Sequence, residues 1–248
     1  MIFAAGRGTR LGALTEATPK ALLEVGGAPV IRHVAERLIA AGADRLIVNT
    51  HHHAGAVARY LLEEAGLGVE IRISPEPTLL ETGGGLRAAA PHFRGDAPFF
   101  IHTADVLSDI PLTAVREAHA RSGALATVVV MERESSRGLL FDELGLLGRI
   151  DRSAGLELRV REPRGAVRLF AFAGIHVASP ALLGRITEPG AVSIRDVYVR
   201  LAGEGERIAA FDATGMAWVD IGRPAELERA RALFGAGSAP RAGESRPA

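Results

Sequence analysis

The sequence contains no cysteine, a single lysine, few aromatic residues and no long hydrophobic run. The missing cysteines exclude disulfides and thiolate metal sites. No uninterrupted apolar stretch approaches the roughly 20 residues that a membrane-spanning helix needs, so no membrane partner is expected. The 29 Lys and Arg residues balance 29 Asp and Glu residues, and this zero net charge argues against nucleic acid as a partner.

The beginning of the chain is apolar only as far as residue 5, where Gly6-Arg7-Gly8 follows. Such a stretch is too short for the apolar core of a secretory signal peptide. We therefore expect a soluble, cytoplasmic protein. The oligomeric state stays open between a monomer and a homodimer.

Short apolar runs alternate with amphipathic stretches along the chain. The runs predict strands near residues 1–5, 45–50, 69–73, 98–102, 125–131, 169–177 and 217–219. Apolar residues recur at helical spacing near residues 30–39, 54–65 and 225–234. Strands that alternate with helices predict an α/β fold with a Rossmann-like, mainly parallel sheet flanked by helices.

The segment from residue 138 to residue 172 has a different pattern. Its apolar runs flank Glu143-Leu144-Gly145 and predict a hairpin, which we interpret as a small antiparallel insertion. No linker divides the chain, so one domain is expected over residues 1–234. Residues 235–248 are rich in Gly, Ala, Pro, Ser and Arg and are predicted to form a disordered tail.

A glycine-rich turn follows the first predicted strand as Gly6-Arg7-Gly8-Thr9-Arg10-Leu11. Such a turn lets backbone N–H groups approach phosphate oxygens closely, although an ordinary tight turn has the same composition. A dinucleotide-binding fingerprint would need a third glycine where Leu11 stands. A P-loop would need a Gly-Lys-Ser/Thr triplet, which the sequence lacks.

The only lysine, Lys20, follows this loop in a Pro-Lys pair. Arg10 offers a planar fork for two phosphate oxygens, whereas Lys20 offers a compact point charge. The two residues therefore favour a ligand that carries several phosphates.

This opening motif resembles that of the sugar-1-phosphate nucleotidyltransferase family. The shared residues are Ala4-Ala5-Gly6-Arg7-Gly8-Thr9-Arg10-Leu11, then Leu14-Thr15, then Pro19-Lys20, with Ala13 where the family usually has proline. The resemblance extends over roughly residues 1–233. It implies catalytic roles for Arg10, at the leaving pyrophosphate, and for Lys20, near the phosphates of both substrates. It implies a nucleotide-binding role for Ala4, Ala5, Gly6, Gly8 and Thr9.

Two predicted strands end in aspartate, at Asp105 and Asp220. Ligands gather at the carboxyl ends of parallel strands, and magnesium takes one or two protein carboxylates, although either aspartate alone suits a helix cap or a turn. The resemblance implies that both bind Mg²⁺. Trp218-Val219-Asp220-Ile221-Gly222 matches the Trp-x-Asp-Ile-Gly motif of the family, and Thr103-Ala104-Asp105 matches its Asn-x-Asp-like motif, with Thr103 in place of Asn.

The run Leu80-Glu81-Thr82-Gly83-Gly84-Gly85 corresponds to the base-reading segment of the family. A glycine-rich helix start exposes N–H donors and permits close approach to a flat base. The resemblance implies nucleotide contacts for Glu81, Thr82, Gly83 and Gly84. The run looks most like N-acetylmuramate 1-phosphate uridylyltransferases and favours UTP, whereas guanylyltransferases for mannose or heptose phosphates more often carry Leu-Gly-Thr.

Sugar contacts are implied for Thr103, Gly174 and Asp196. Gly174 lies in Phe172-Ala173-Gly174-Ile175, which resembles a sugar-facing strand of the family. A buried strand with a glycine for close packing would have the same sequence pattern. Asp196 lies in a further family counterpart at residues 193–198, and it alternatively caps a helix.

Together these parts predict an enzyme that condenses a sugar 1-phosphate with a nucleoside triphosphate, giving a nucleotide-sugar and pyrophosphate. The sugar phosphate is already an anion, so positioning and charge neutralisation would drive its in-line attack on the α-phosphorus without a general base. Two alternatives come from other classes. A non-catalytic nucleotide-sugar sensor would be free to lose the charged residues, and a nicotinamide-dependent oxidoreductase would need the missing third glycine.

Overall fold

A computed structural model of the chain describes residues 1–235, so the predicted tail lies outside the described residues except for Gly235. The strands are β1 (Ile2–Phe3), β2 (Glu24–Val25), β3 (Ala28–Pro29), β4 (Arg45–Thr50), β5 (Glu70–Pro75), β6 (Phe99–Thr103), β7 (Val106–Ser108), β8 (Ala126–Met131), β9 (Arg137–Asp142), β10 (Gly145–Asp151), β11 (Leu156–Arg159), β12 (Arg168–Ala178), β13 (Ile208–Asp212) and β14 (Trp218–Asp220). The α-helices are α1 (Val30–Ala40), α2 (Ala54–Arg59), α3 (Glu81–Ala89), α4 (Leu112–Ser122), α5 (Ala181–Arg185), α6 (Ile194–Gly203) and α7 (Pro224–Phe234).

The central sheet has the strand order β5-β4-β1-β6-β12-β8-β13. Its strands β5, β4, β1 and β6 pair in parallel, as do β8 and β13, and only β12 runs against its neighbours. The prediction of a mainly parallel α/β sheet is therefore confirmed. Strand β13 and the short strands β7, β2, β3 and β11 were not predicted from the sequence, because most of them are too short to show a periodicity.

Successive residues of a strand point to opposite faces of the sheet. Both faces of this sheet are apolar and are covered by helices. In β4, Ile47 belongs to a core cluster with α3, α5 and α6, whereas Val48 belongs to a second cluster with α1, α2 and α4. The helix predicted near residues 30–39 is present as α1, and its Ile31, Val34 and Leu38 are buried. The predicted helix at 54–65 is α2 continued by a π-helical turn at Tyr60–Glu64.

The predicted antiparallel insertion is present. Strands β9, β10 and β11 pair antiparallel in sequence order, and β9 also pairs with the first residues of the long strand β12. The last residues of β12 pair with β6 and β8 instead. Because β12 belongs to both sheets, the insertion is continuous with the central sheet at this strand. No helix among residues 1–235 is long and apolar enough to cross a membrane.

A two-stranded sheet of β7 and β14 lies beyond the end of β6. Helix α7 packs on it, and Leu227 of that helix shares a core cluster with Val219 and Leu107. The cluster fixes the short strand β14, which is too small to be stable alone.

Candidate active site

The pairing of β7 with β14 brings the two predicted metal aspartates together. Asp105 lies in the turn between β6 and β7, and its neighbour Val106 is the antiparallel partner of Asp220. The backbone oxygen of Asp105 also accepts a hydrogen bond of 3.0 Å from the N–H of Ile221. The register of this small sheet therefore sets the distance between two carboxylates that are far apart in the sequence.

Lys20 lies between the two aspartates. Its Nζ donates to Oδ2 of Asp105 at 2.5 Å and to Oδ1 of Asp220 at 3.2 Å. The lysine side chain is 9% exposed, and the two carboxylates are 31% and 37% exposed. Burial alone would raise the pKa of Asp105, but the charge and the hydrogen bond of Lys20 outweigh it and hold that pKa below its usual value. The ammonium thus compensates one of the two carboxylate charges, while both carboxylates keep an accessible side.

The donor set of this site fits magnesium. Two carboxylates converge on one position, and the ammonium of Lys20 shows that a cation is accommodated between them. Magnesium in proteins typically takes one or two carboxylates and completes its shell with phosphate oxygens and water. Asp105 and Asp220 are therefore the residues that would hold it.

The glycine-rich loop leads from β1 toward this pair. Gly8 has φ +66°, a left-handed conformation that favours glycine, and a Cβ there would also be tightly packed, at 3.1 Å from Thr15 and 3.2 Å from Lys20. Ala4 is half-buried with its N–H bound to Asn49, whereas Gly6 and Thr9 are exposed. Arg10 is exposed beside the second aspartate motif, where its guanidinium lies 3.0 Å from the position of a Cβ on Gly222.

A cavity of about 480 Å³ opens beside the aspartates. It joins residues of the loop, the predicted base-reading segment and the predicted sugar strand. Eight of its lining residues were predicted from the sequence: Ala5, Gly6, Glu81, Thr82, Thr103, Asp105, Gly174 and Asp220. The volume suits a small-molecule ligand of nucleotide size.

On the sugar side, Thr103 and Gly174 face each other. Gly174 has φ +78°, and a Cβ there would lie 2.6 Å from Oγ1 of Thr103. The hydroxyl of Thr103 is buried, and its interaction with the Asp105 carboxylate also helps to lower the pKa of that group. Thr103 therefore lines the cavity between Gly174 and the metal aspartate Asp105.

The expectation that Gly83 and Gly84 present free N–H groups is wrong. Both N–H groups donate to the backbone oxygen of Val192, at 2.8 and 3.2 Å. A Cβ on Gly83 would lie 2.9 Å from that oxygen, and a Cβ on Gly84 would lie 2.6 Å from the oxygen of Gly190. Because the two glycines have no side chains, the segment before α6 can pack against the start of α3. The backbone of this segment accepts hydrogen bonds from N–H groups that the first turn of a helix otherwise leaves unpaired.

Glu81 and Thr82 are placed differently from the glycines that follow. Glu81 is exposed, lines the cavity and has φ +57°, a left-handed conformation that is uncommon for a residue other than glycine. Thr82 Oγ1 accepts a hydrogen bond of 2.9 Å from the N–H of Ile194. The strained backbone at Glu81 turns this residue toward the ligand side of the helix start.

Asp196 does not line the cavity. Its carboxylate pairs with Arg149 at 2.9 Å, and Ser193 caps α6 by accepting a hydrogen bond from the N–H of Arg195. Asp196 therefore lies in the first turn of α6, where Ser193 and not Asp196 is the cap. The neighbouring Arg195 lines the cavity in its place.

Sequence reasoning missed three arginines that line the cavity: Arg133, Arg137 and Arg195. Arg137 pairs with Asp151, whereas Arg195 forms no ion pair within residues 1–235. Burial lowers the pKa of Arg195, and the charges of Arg137 and Arg149 act in the same direction. Among so many arginines, no sequence pattern distinguishes these three.

Trp218 supports the cavity wall next to Asp220. Its Nε1 donates to the backbone oxygen of Ala173 at 2.8 Å, and the guanidinium of Arg133 stacks over its ring at 4.2 Å. The tryptophan thus ties β14 to the strand that carries Gly174. Its place two residues before Asp220 was the sequence signal for this role.

The fold is an α/β fold, and the candidate site lies at the carboxyl edge of its parallel sheet, where such folds bind ligands. The family model described as nucleotidyl transferase matches residues 1–139, more than half of the chain. The chain therefore belongs to the nucleotidyl transferase family.

Curated relatives are similar over almost the whole chain. The mannose-1-phosphate guanylyltransferase catalytic subunit beta of Drosophila pseudoobscura pseudoobscura is 32% identical over 239 residues, which are 94% of this chain and 62% of the relative. The mannose-1-phosphate guanyltransferase of Yarrowia lipolytica is 31% identical over 238 residues, 94% of this chain and 63% of the relative. The chain thus spans less than two thirds of the length of these relatives.

Solved structures share the fold at lower identity. A Bacillus anthracis protein solved with sucrose superposes with a TM-score of 0.79 at 21% identity, covering 98% of this chain and 96% of that one. The inositol-1-phosphate CTP transferase of T. maritima gives 0.73 at 19% identity, covering 91% and 89%. At these identities the likeness shows the fold alone.

Proposed function

We propose that the protein is a sugar-1-phosphate nucleotidyltransferase that condenses a sugar 1-phosphate with a nucleoside triphosphate. The observation that carries this proposal is the convergence of Lys20 with Asp105 and Asp220, two aspartates that line one cavity. A lysine after a glycine-rich loop and two carboxylates at strand ends are suited to binding phosphates and a metal, and the proposed transfer asks none of them to act as a nucleophile or a general base. This inventory fits the transfer of a nucleotidyl group to an acceptor that is already an anion.

The proposed mechanism is an in-line displacement at the α-phosphorus. An oxygen of the sugar phosphate forms the new bond to that phosphorus, the bond to the bridging oxygen of the β-phosphate breaks, and pyrophosphate leaves with the electron pair. Arg10 binds the leaving pyrophosphate, and Lys20 neutralises the phosphates of both substrates. Mg²⁺ held by Asp105 and Asp220 would supply further charge neutralisation.

The sugar phosphate needs a cation of its own within the cavity. Arg195 is half-buried there and forms no ion pair with the described part of the chain. We assign it to the phosphate of the sugar substrate. Gly174 offers its backbone next to the sugar, as the resemblance implies.

GTP with mannose 1-phosphate is the first candidate substrate pair. The relatives that match over 94% of the chain are mannose-1-phosphate guanylyltransferases. Glu81, which lines the cavity, also suits this base. Guanine presents two adjacent N–H donors to a carboxylate, whereas uracil presents one N–H between two carbonyl oxygens.

UTP with N-acetylmuramate 1-phosphate is the second candidate pair. It is favoured by Leu80-Glu81-Thr82-Gly83-Gly84-Gly85, which resembles uridylyltransferases for that sugar, whereas guanylyltransferases more often carry glycine at the position of Glu81. The two candidates differ in both base and sugar, so one assay separates them.

The test is pyrophosphate release with magnesium. GTP, UTP, CTP and dTTP are each combined with mannose, heptose, N-acetylmuramate, glucose and N-acetylglucosamine 1-phosphates. A productive pair establishes the class and identifies base and sugar together. Nucleotide binding without release from any pair would contradict the proposal and would favour a nucleotide-sugar sensor.

A further inference from the structure

A buried carboxylate with no cationic partner lies beneath the base-reading segment. Glu76 is 4% exposed, and within residues 1–235 it forms no ion pair. Its Oε1 accepts a hydrogen bond of 2.6 Å from Nδ2 of Asn49, and its Oε2 accepts one of 2.9 Å from the N–H of Leu80. Removing a carboxylate from water without an opposite charge is costly, so its presence needs a compensating role.

The hydrogen bonds continue beyond Asn49. Its Oδ1 accepts a hydrogen bond of 2.9 Å from the N–H of Ala4, the residue that follows β1. A chain of three hydrogen bonds therefore links the backbone of Ala4, at the start of the glycine-rich loop, to the backbone of Leu80, directly before Glu81. Asn49 itself is 2% exposed, so water does not compete with these bonds.

Gly85 is the residue that makes room for this pair. A Cβ on Gly85 would lie 2.5 Å from Oε1 of Glu76 and 2.7 Å from Nδ2 of Asn49. Gly83 and Gly84 admit the segment before α6, so the third glycine of the run has a separate purpose. The start of α3 is thus fixed by a polar pair on one side and by the backbone of residues 190–192 on the other.

We propose that Glu76 and Asn49 are positioning residues for the nucleotide, and this inference rests on the function proposed above. The loop after Ala4 holds the phosphates in that function, and Glu81 and Thr82 contact the base. The Asn49–Glu76 pair sets the spacing between these two segments. Glu76 does not line the cavity, whereas Asn49 does. The hydrogen bonds of the pair join only the start of the glycine-rich loop and the base-reading segment, so the pair acts on the nucleotide.

Exchanging the amide and the carboxylate between positions 49 and 76 should restore hydrogen bonds that a single substitution loses. In Glu76→Gln, one end of the new amide is an NH₂ group in either orientation. It meets a donor at Asn49 or at Leu80, so one link is lost. In the double variant Asn49→Asp with Glu76→Gln, the carboxylate at position 49 accepts from Ala4 and from the amide at position 76, whose oxygen accepts from Leu80. All three links return with the amide and carboxylate exchanged.

The experiment measures equilibrium binding of GTP and UTP by calorimetry with magnesium, and the KM of each substrate. We expect Glu76→Gln to weaken binding of the preferred nucleotide about five- to tenfold, the order of one lost buried hydrogen bond. The KM for the sugar 1-phosphate stays at the wild-type value. The double variant restores nucleotide binding.

Asp142→Asn is the matched control, because Asp142 is also a covered carboxylate that accepts backbone N–H bonds, but it lies in the antiparallel insertion and pairs with Arg161. It should lower the melting temperature without changing nucleotide binding. Equal weakening of nucleotide binding by Asp142→Asn, or unchanged binding in Glu76→Gln, overturns the inference. Should the double variant fail to fold, the comparison of these two single variants decides.

The outcomes also separate this inference from the proposed function. A wild-type protein that binds nucleotide without turnover disproves the function, while the binding series still tests the pair. If the wild-type protein shows turnover and Glu76→Gln binds nucleotide as tightly as the wild type, only the inference is disproved. Absence of any nucleotide binding overturns both.

Discussion

The ammonium of Lys20 lies 2.5 Å from the carboxylate of Asp105 and is almost fully buried. The same ammonium reaches Asp220 at 3.2 Å, so the only lysine of the chain holds together two aspartates that are far apart in the sequence. A compact ammonium fits between two carboxylates, whereas the planar guanidinium of arginine is larger and more directional. At every other Lys or Arg position the chain carries arginine, and this geometry gives a physical reason why lysine stands at position 20.

Replacement of Lys20 by methionine should lower turnover by about 10²- to 10³-fold, the usual loss when one stabilising group at a developing charge is removed. It also leaves two carboxylates to repel each other. We therefore expect the melting temperature of Lys20→Met to rise more on addition of magnesium than that of the wild type. Differential scanning fluorimetry across a magnesium titration measures this shift.

Arg149→Met provides the control for that experiment, because it removes a different basic partner of an aspartate, at Asp196. Its melting temperature should respond to magnesium as the wild type does. An identical magnesium response in Lys20→Met would show that the ammonium and the metal do not share one site.

Asp220→Asn keeps the shape of the side chain and removes its charge. We expect pyrophosphate release to fall by about 100-fold or more, because the metal and Lys20 lose a charged ligand in the same step. Asp212→Asn removes an aspartate of comparable exposure, which pairs with Arg168 at the edge of the sheet. Steady-state assays at saturating magnesium compare the two, and similar activity in both would disprove the metal assignment.

Gly174→Ala should destabilise the fold by about 1–3 kcal/mol, since it combines a left-handed backbone with a close contact to Thr103. Thr103→Ala removes the hydroxyl that the new Cβ would meet. The double variant should therefore recover the steric part of the loss and keep the backbone part. Urea unfolding of both single variants and the double variant measures this coupling, and strictly additive effects would contradict it.

Two buried histidines make the free energy of unfolding depend on pH. Burial lowers the pKa of His176 to about 3 and that of His102 to about 4, whereas an unfolded histidine titrates near 6.5. Below pH 6.5 the unfolded state therefore binds more protons than the folded state. Stability should fall as pH drops from about 6.5 to 5, by up to about 1.4 kcal/mol per pH unit for each histidine.

His176→Gln tests that pH dependence. His176 is hydrogen-bonded through Nδ1 to the hydroxyl of Tyr198 at 2.5 Å, and an amide can take over this bond without titrating. Denaturant unfolding at pH 5.0 and pH 7.0 should show a smaller loss of stability in the variant than in the wild type. Equal losses in the two proteins would assign the pH dependence to other groups.

Local patterns predicted a large part of this protein. The buried strands β4, β6 and β8 are continuous apolar runs, and α1 has a clear helical spacing, so the mainly parallel sheet could be predicted. The hairpin of the insertion was equally visible in its turn residues. The aspartates and the lysine were singled out by short motifs at strand ends and after the glycine-rich loop.

What the sequence by itself determined is therefore the set of elements and the chemical inventory: a glycine-rich loop, one lysine and two aspartates. Only the tertiary structure decided which groups meet. The register of β7 with β14 places Asp220 beside Asp105, and the approach of residues 190–192 to α3 occupies the N–H groups of Gly83 and Gly84. The same packing selects Arg195 over Asp196 for the cavity and buries Glu76 against Asn49. These outcomes depend on contacts between residues far apart in the chain, and a local pattern carries no information about such contacts.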